Sequence, residues 1–153
     1  MQNCFDLLVT DVILIYMIMP SYSHNYVLFY QLLDNNLFTH NEIDDVVKTM
    51  PPNRAPGPDG FNGAFLKACW TIIKDDFYRL CDEFHSGTLN LKSLNYGYIT
   101  PIPKTRAPET VNDFRPITLL NCCLKLITKI LANRLQKVIL NIVHKNQYGF
   151  LKG

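Results

Sequence analysis

With 153 residues, 48% hydrophobic and 18% charged, the chain is long enough for one domain burying roughly 68–70% of its unfolded surface. Residues 1–47 hold six acids and no Lys or Arg, whereas residues 48–153 hold all 15 cations against seven acids, and after Asp113 seven cations stand without a single acid. This division excludes an acidic surface in the last quarter of the chain and leaves two readings, a polyanionic partner or a basic solvated helix face.

Five cysteines (Cys4, Cys69, Cys81, Cys122, Cys123) show no repeated C-x-x-C spacing. With no basic residue before Lys48 to open a secretory signal, they read as reduced thiols in an intracellular setting, nuclear or cytoplasmic. Cys81 and His85 are four apart and share a helix face, but no second pair accompanies them and a zinc site needs about four ligands. Residues 1–37 form an apolar, acidic segment of no assigned role, and 38–153 form the remaining domain. Within the first part, the uninterrupted run Val12–Met19 is too short for the roughly 20 residues that span a bilayer, so no membrane partner is expected.

The punctuated part of the chain begins at Phe38. Thr39 and Glu42 have the spacing of a capping box, Phe38 is placed to staple against Ile43, and Ile43, Val46, Val47 and Met50 recur at helical spacing. A helix is expected over 40–50, stopped by Pro51-Pro52. The loop Asn53–Gly60 follows, with Pro56-Gly57 suited to a type II turn and Asp59-Gly60 to a second turn. Phe61, Phe65, Cys69 and Ile72 step by four and three, predicting an inward helix face to about Ile73. Asp75 or Asp76 is then placed to cap a third helix, with Phe77, Leu80, Cys81 and Phe84 inward and Ser86-Gly87 as its stop.

Tyr96–Lys104 and Phe114–Leu120 read as two strands joined by the nine residues Thr105–Asp113. Tyr96, Tyr98, Thr100, Ile102 and Lys104 share one face of the first strand, and Arg115, Ile117 and Leu119 one face of the second. Pro101, Pro103 and Pro116 donate nothing to a ladder and place the pair at an edge. Antiparallel pairing brings the ammonium of Lys104 near the guanidinium of Arg115 beside the loop, where two cations attract an anion, most simply a phosphate chain. Asn121 is placed to cap the longest helix, to about Asn141, with Leu124, Ile127, Ile130, Leu131, Leu135 and Val138 on its apolar side and Lys125, Lys129, Gln136 and Lys137 elsewhere.

Five blocks, Arg54–Gly60 (RAPGPDG), Ile99–Lys104 (ITPIPK), Asp113–Leu119 (DFRPITL), Lys129–Leu135 (KILANRL) and Asn146–Gly153 (NQYGFLKG), stand in the order and spacing of a known family. Together they resemble the non-LTR (LINE-type) retrotransposon reverse transcriptases, RNA-directed DNA polymerases, particularly those abundant in plant genomes. The resemblance covers 38–153 and implies an α+β fold: the fingers subdomain of a right-hand polymerase, helices with a short antiparallel strand pair, truncated before the palm.

It further implies that Lys104 and Arg115 contact the triphosphate of an incoming deoxynucleotide. Arg54, Lys125, Lys129 and Arg134 would lie along the path of an RNA template and DNA primer. The family's two metal ions, Mg²⁺ in the intact enzyme, are held by carboxylates of the palm, downstream of the block that ends at Gly153. This sequence has no acid after Asp113, so the expectation is a partial domain with no catalytic residue, no bound cofactor or metal, and no polymerase activity alone. A non-enzymatic basic module that binds nucleic acid or a partner is the alternative.

Overall fold

The structure is a computed structural model that describes the backbone of residues 37–142 and side chains as far as Lys137. The segment Val12–Met19, the side chain of Val138 and the block from Asn146 lie outside the described residues. Among these residues the architecture is α+β: helices α1 (His40–Thr49), α2 (Gly63–His85), the short α3 (Leu91–Leu94) and α4 (Cys122–Ile142), with strands β1 (Gly97–Pro103) and β2 (Phe114–Leu120) between α3 and α4. The chain divides into two compact units, Val47–Leu124 and a second made of Met1–Val46 with Lys125–Gly153. No helix among the described residues is long and apolar enough to cross a membrane.

In the second of these units, the Thr39 hydroxyl accepts from the Glu42 N–H at 3.2 Å, and Phe38 and Ile43 are both buried, as the cap and staple require. The Glu42 carboxylate is engaged elsewhere. Its Oε1 and Oε2 accept from Nε and Nη2 of Arg134 at 2.8 and 2.7 Å. Buried Val46, Leu126, Ile127, Ile130, Leu131 and Leu135 supply the apolar interior.

The unit Val47–Leu124 departs from expectation at α2. The two helices read around Ile73 and Asp75 are one helix of 23 residues, longer than the 21 of α4, with Asn62 as its cap: Asn62 Oδ1 accepts from the Phe65 N–H at 3.0 Å. Asp75 and Asp76 are therefore mid-helix, and Asp76 pairs with exposed Arg79 one turn on at 2.8 Å. The inward face is also rotated. Leu66, Phe77, Tyr78 and Cys81 are buried, Trp70 packs against Phe77 and Tyr78, and Ile72 is 80% exposed. Phe61 and Phe65 stack on each other at 4.1 Å, which satisfies two apolar rings locally without turning them inward.

Of the two turns expected in the proline-glycine loop, the one at Asp59-Gly60 forms and the one centred on Pro56-Gly57 does not. The Gly60 N–H donates to the Gly57 carbonyl at 3.0 Å, so Pro58 and Asp59 form the corner and Gly60 takes the positive φ of 73°. Gly57 has a different constraint: a Cβ there would lie 2.0 Å from the Leu120 carbonyl oxygen. The loop is thus pressed onto the end of β2.

β1 and β2 pair antiparallel from Gly97↔Leu120 to Pro103↔Phe114, and the Lys104 N–H extends the ladder to the Asp113 carbonyl at 2.7 Å. That bond sets the parity of the whole hairpin. N–H groups of residues 98, 100, 102 and 104 point at β2, and those at 97, 99, 101 and 103 point away. Pro101, Pro103 and Pro116 all fall on outward positions, Pro101 directly opposite Pro116, so the missing donors cost no ladder bond.

Candidate functional site

The face shared by Tyr98, Thr100 and Ile102 on β1 is opposed by Leu119, Ile117 and Arg115 on β2. Lys104 follows Ile102 on the same face by the period of two, so it stands one diagonal step from Arg115, a spacing of about 7–8 Å between such neighbours. Both cations are exposed. The Lys104 ammonium donates to the Asn112 carbonyl at 2.7 Å, and an ammonium has three donors, so two N–H groups remain for an anion.

The loop beyond the strands is held by Asp113. Its Oδ2 accepts from the Glu109 N–H at 3.0 Å, the Thr110 N–H at 2.9 Å and the Thr110 hydroxyl at 3.1 Å, closing a capping box on the 3-10 turn Val111–Asp113. The Thr110 backbone bond, then that of Glu109, then the Thr110 hydroxyl hold this carboxyl below the usual aspartate range. Three donated hydrogen bonds occupy the carboxylate that lies nearest Lys104 in register.

The base of the hairpin is fastened more elaborately than the sequence suggests. Asn121 is 4% exposed; its Oδ1 accepts from the Leu124 N–H at 2.9 Å, the expected cap, and its Nδ2 donates to the Leu94 carbonyl at 2.6 Å, 27 positions back. Asp59 reaches the same point from the loop: Oδ2 accepts from the Cys122 N–H, 63 positions on, and Oδ1 from the Phe61 N–H at 3.2 Å. Two side chains therefore satisfy two orphan N–H groups in the first turn of α4, and the carboxylate meets the positive end of the helix dipole. Spacing alone marks Asn121 as a cap. Nothing local marks Asp59, because its partner is 63 positions away.

Adjacent thiols sit in that turn. The interaction between the two thiols, then burial and nearby Asp59, pushes Cys122 up, and the same interaction draws the half-buried Cys123 down.

Arg54 is exposed on the loop that carries Asp59. Lys125 and Lys129 are half-buried and Lys137 exposed along α4, whose buried residues cover more of its circumference than a narrow apolar stripe would. Arg134 is committed within the unit of Met1–Val46 and Lys125–Gly153. Besides gripping Glu42, its Nη2 donates to the Leu37 carbonyl at 3.2 Å and its guanidinium lies 4.5 Å from the Phe38 ring centroid. Among the described residues no group of three or more His, Cys, Asp or Glu side chains is arranged to hold a metal ion, so these residues do not fit the paired Mg²⁺ of the resembled enzymes.

No family model matches the chain. Over 110 residues, 71% of its length, it is 30% identical to the Transposon TX1 uncharacterized 149 kDa protein of Xenopus laevis. The matched stretch is 8% of that relative, so the chain spans under a tenth of the protein it resembles. On this similarity the chain is transposon-related.

Proposed function

We propose that the chain is the fingers portion of a non-LTR retrotransposon reverse transcriptase and that its hairpin tip grips phosphate. Lys104 and Arg115, exposed on one face one diagonal step apart, carry the reading. Arg115 offers a planar fork suited to two phosphate oxygens, while Lys104 adds a point charge held over the loop by the Asn112 carbonyl. The carboxylate in register with Lys104, that of Asp113, is held toward donors of its own loop and stays a single negative charge against two cations, so the three groups together keep a net positive charge. The likeness to a transposon protein agrees with this origin. Arg54 on the proline-glycine loop, and separately Lys125 and Lys129 on α4, are the cations proposed to meet a template-primer partner, whereas Arg134, 11% exposed and held by Glu42, is assigned to anchoring α1 on α4.

Polymerisation is assigned to a palm carrying the metal-binding carboxylates, and this chain alone binds without catalysing. Titration of the purified chain with inorganic tripolyphosphate is the direct test: Lys104→Ala and Arg115→Ala should each weaken binding about tenfold or more, the size of one charge-assisted contact. Unchanged affinity in both variants would sink the assignment. A template-dependent product in a primer-extension assay with Mg²⁺ or Mn²⁺ would refute the non-catalytic part.

A further inference from the structure

The hairpin that carries Lys104 and Arg115 has little packing of its own. Along β1 only Thr100 is half-buried and nothing is fully buried; along β2 Phe114, Ile117 and Leu119 are half-buried, and only Leu120, at the end nearest α4, is fully buried. Its direction in space is therefore set at its base. From Gly97↔Leu120 to Lys104 is seven residues, about 23 Å of extended chain, so a tilt of about 10° at the base displaces the tip by about 4 Å. A displacement of that size exceeds the tolerance of a charge-assisted hydrogen bond many times over.

Three contacts govern the base. Asn121 ties the exit of β2 to Leu94, three residues before β1 begins. Gly57 lies against the Leu120 carbonyl, and Asp59 closes on the Cys122 N–H. The last two belong to the loop that also displays Arg54, five residues before Asp59.

We propose that Asp59 is a positioning residue: it locks the Arg54 loop and the Lys104–Arg115 hairpin into one frame that a single nucleic-acid strand engages at both places. This rests on reading the hairpin as a phosphate grip, and it makes a prediction that the grip alone does not. Lys104 and Arg115 ride together on the tip, so loosening the base leaves their mutual geometry intact and changes only where they stand relative to Arg54. A short anion that fits the tip is indifferent to the lock. A strand long enough to span tip and loop depends on it.

The experiment compares two probes on the full chain, inorganic tripolyphosphate and a 20-nucleotide single-stranded DNA, for wild type, Asp59→Ala, Arg54→Ala and the double variant. Asp59→Ala should weaken the oligonucleotide about tenfold while leaving tripolyphosphate within about twofold, and its effect should be largely absent once Arg54 is already Ala. Where Asp59→Ala does not fold by circular dichroism, Pro58→Gly, which frees the corner but keeps the carboxylate, should give the same contrast at several-fold. Equal losses for both probes, no loss for the oligonucleotide, or strict additivity with Arg54→Ala would each overturn the proposal with the grip left standing. Binding of neither probe by the wild type would instead remove the grip, and this inference with it.

Discussion

Arg134 and Glu42 meet side-on, two parallel hydrogen bonds of 2.8 and 2.7 Å joining positions 92 apart. The side chains are 11% and 22% exposed, and the guanidinium also rests on Phe38, so the pair fixes the start of α1 against α4. Breaking it by Glu42→Ala leaves a largely buried guanidinium short of its partner and should cost about 1–3 kcal/mol in urea unfolding, reduced from the fully buried case by residual solvent. Arg134→Lys should lose most of the same amount, because an ammonium keeps the charge but not the fork or the ring contact. A loss below about 0.5 kcal/mol for both variants would show the pair to be ornamental.

Gly57 and Gly60 separate two reasons for a glycine within four residues. A Cβ at Gly57 would collide with the Leu120 backbone at 2.0 Å, and backbone yields only by moving β2. A Cβ at Gly60 meets nothing within 4 Å, and its φ of 73° imposes only the left-handed penalty. Gly57→Ala is expected to destabilise by about 3 kcal/mol or more, and Gly60→Ala by about 1–2 kcal/mol. Chemical denaturation giving the opposite order would contradict the packing of this loop on β2.

The Asp113 carboxylate has a definite pH signature. Because its folded pKa lies below the ordinary aspartate value of 3.8, its contribution to the loop is fully present above that pH and is lost as pH falls through the folded pKa. An NMR titration should place its midpoint below 3.8, and Asp113→Asn should speed amide exchange at Glu109 and Thr110 at neutral pH. A midpoint at or above the ordinary value would mean the three donated hydrogen bonds are absent in solution.

Cys122 and Cys123 should differ sharply in reactivity although they are neighbours. Cys122 is 6% exposed and pushed up by its neighbour thiol, burial and Asp59, whereas Cys123 is half-buried and drawn down by that same neighbour. Brief treatment with iodoacetamide near pH 7, read by peptide mass spectrometry, should label Cys123 ahead of Cys122. Replacing Cys122 by Ala should slow the labelling of Cys123, and equal labelling of the two thiols in the intact chain would disprove the asymmetry.

The parts of the fold legible from sequence are those whose causes are local. The caps at Thr39 and Asn121 and the burial of Phe38 with Ile43 depend on residues a few positions apart, and the strand pair on two period-two runs joined by one short loop. Sequence and structure part where local signals are permissive. Asp75-Asp76 satisfies the composition of a helix start, yet nothing ends the helix before it, and a continuous α2 keeps every backbone bond that a break would have exposed. Phe61, Phe65 and Ile72 have helical spacing, but Leu66, Trp70, Phe77 and Cys81 have it too, and only tertiary packing chooses between the two faces. The roles of Asp59 and Glu42 lie wholly in partners 63 and 92 positions distant, which no spacing rule reaches. At the candidate site, the shared face of Lys104 and Arg115 is legible from period two, while the engagement of the Asp113 carboxylate by Glu109 and Thr110 depends on the turn Val111–Asp113, which no spacing rule marks.

The outward prolines of the hairpin have a consequence for how the chain behaves among other chains. Tyr98, Ile99 and Ile102 are 60%, 72% and 44% exposed on a two-stranded ribbon, a composition that ordinarily invites a further strand and then aggregation. Two of the four outward positions of β1 are prolines, and the outer row of β2 is interrupted by Pro116, so both margins lack donors that a continuous cross-β stack would use. The ribbon thus keeps apolar surface in water with its outward donors thinned on both margins, which disfavours pairing with its own copies along either edge.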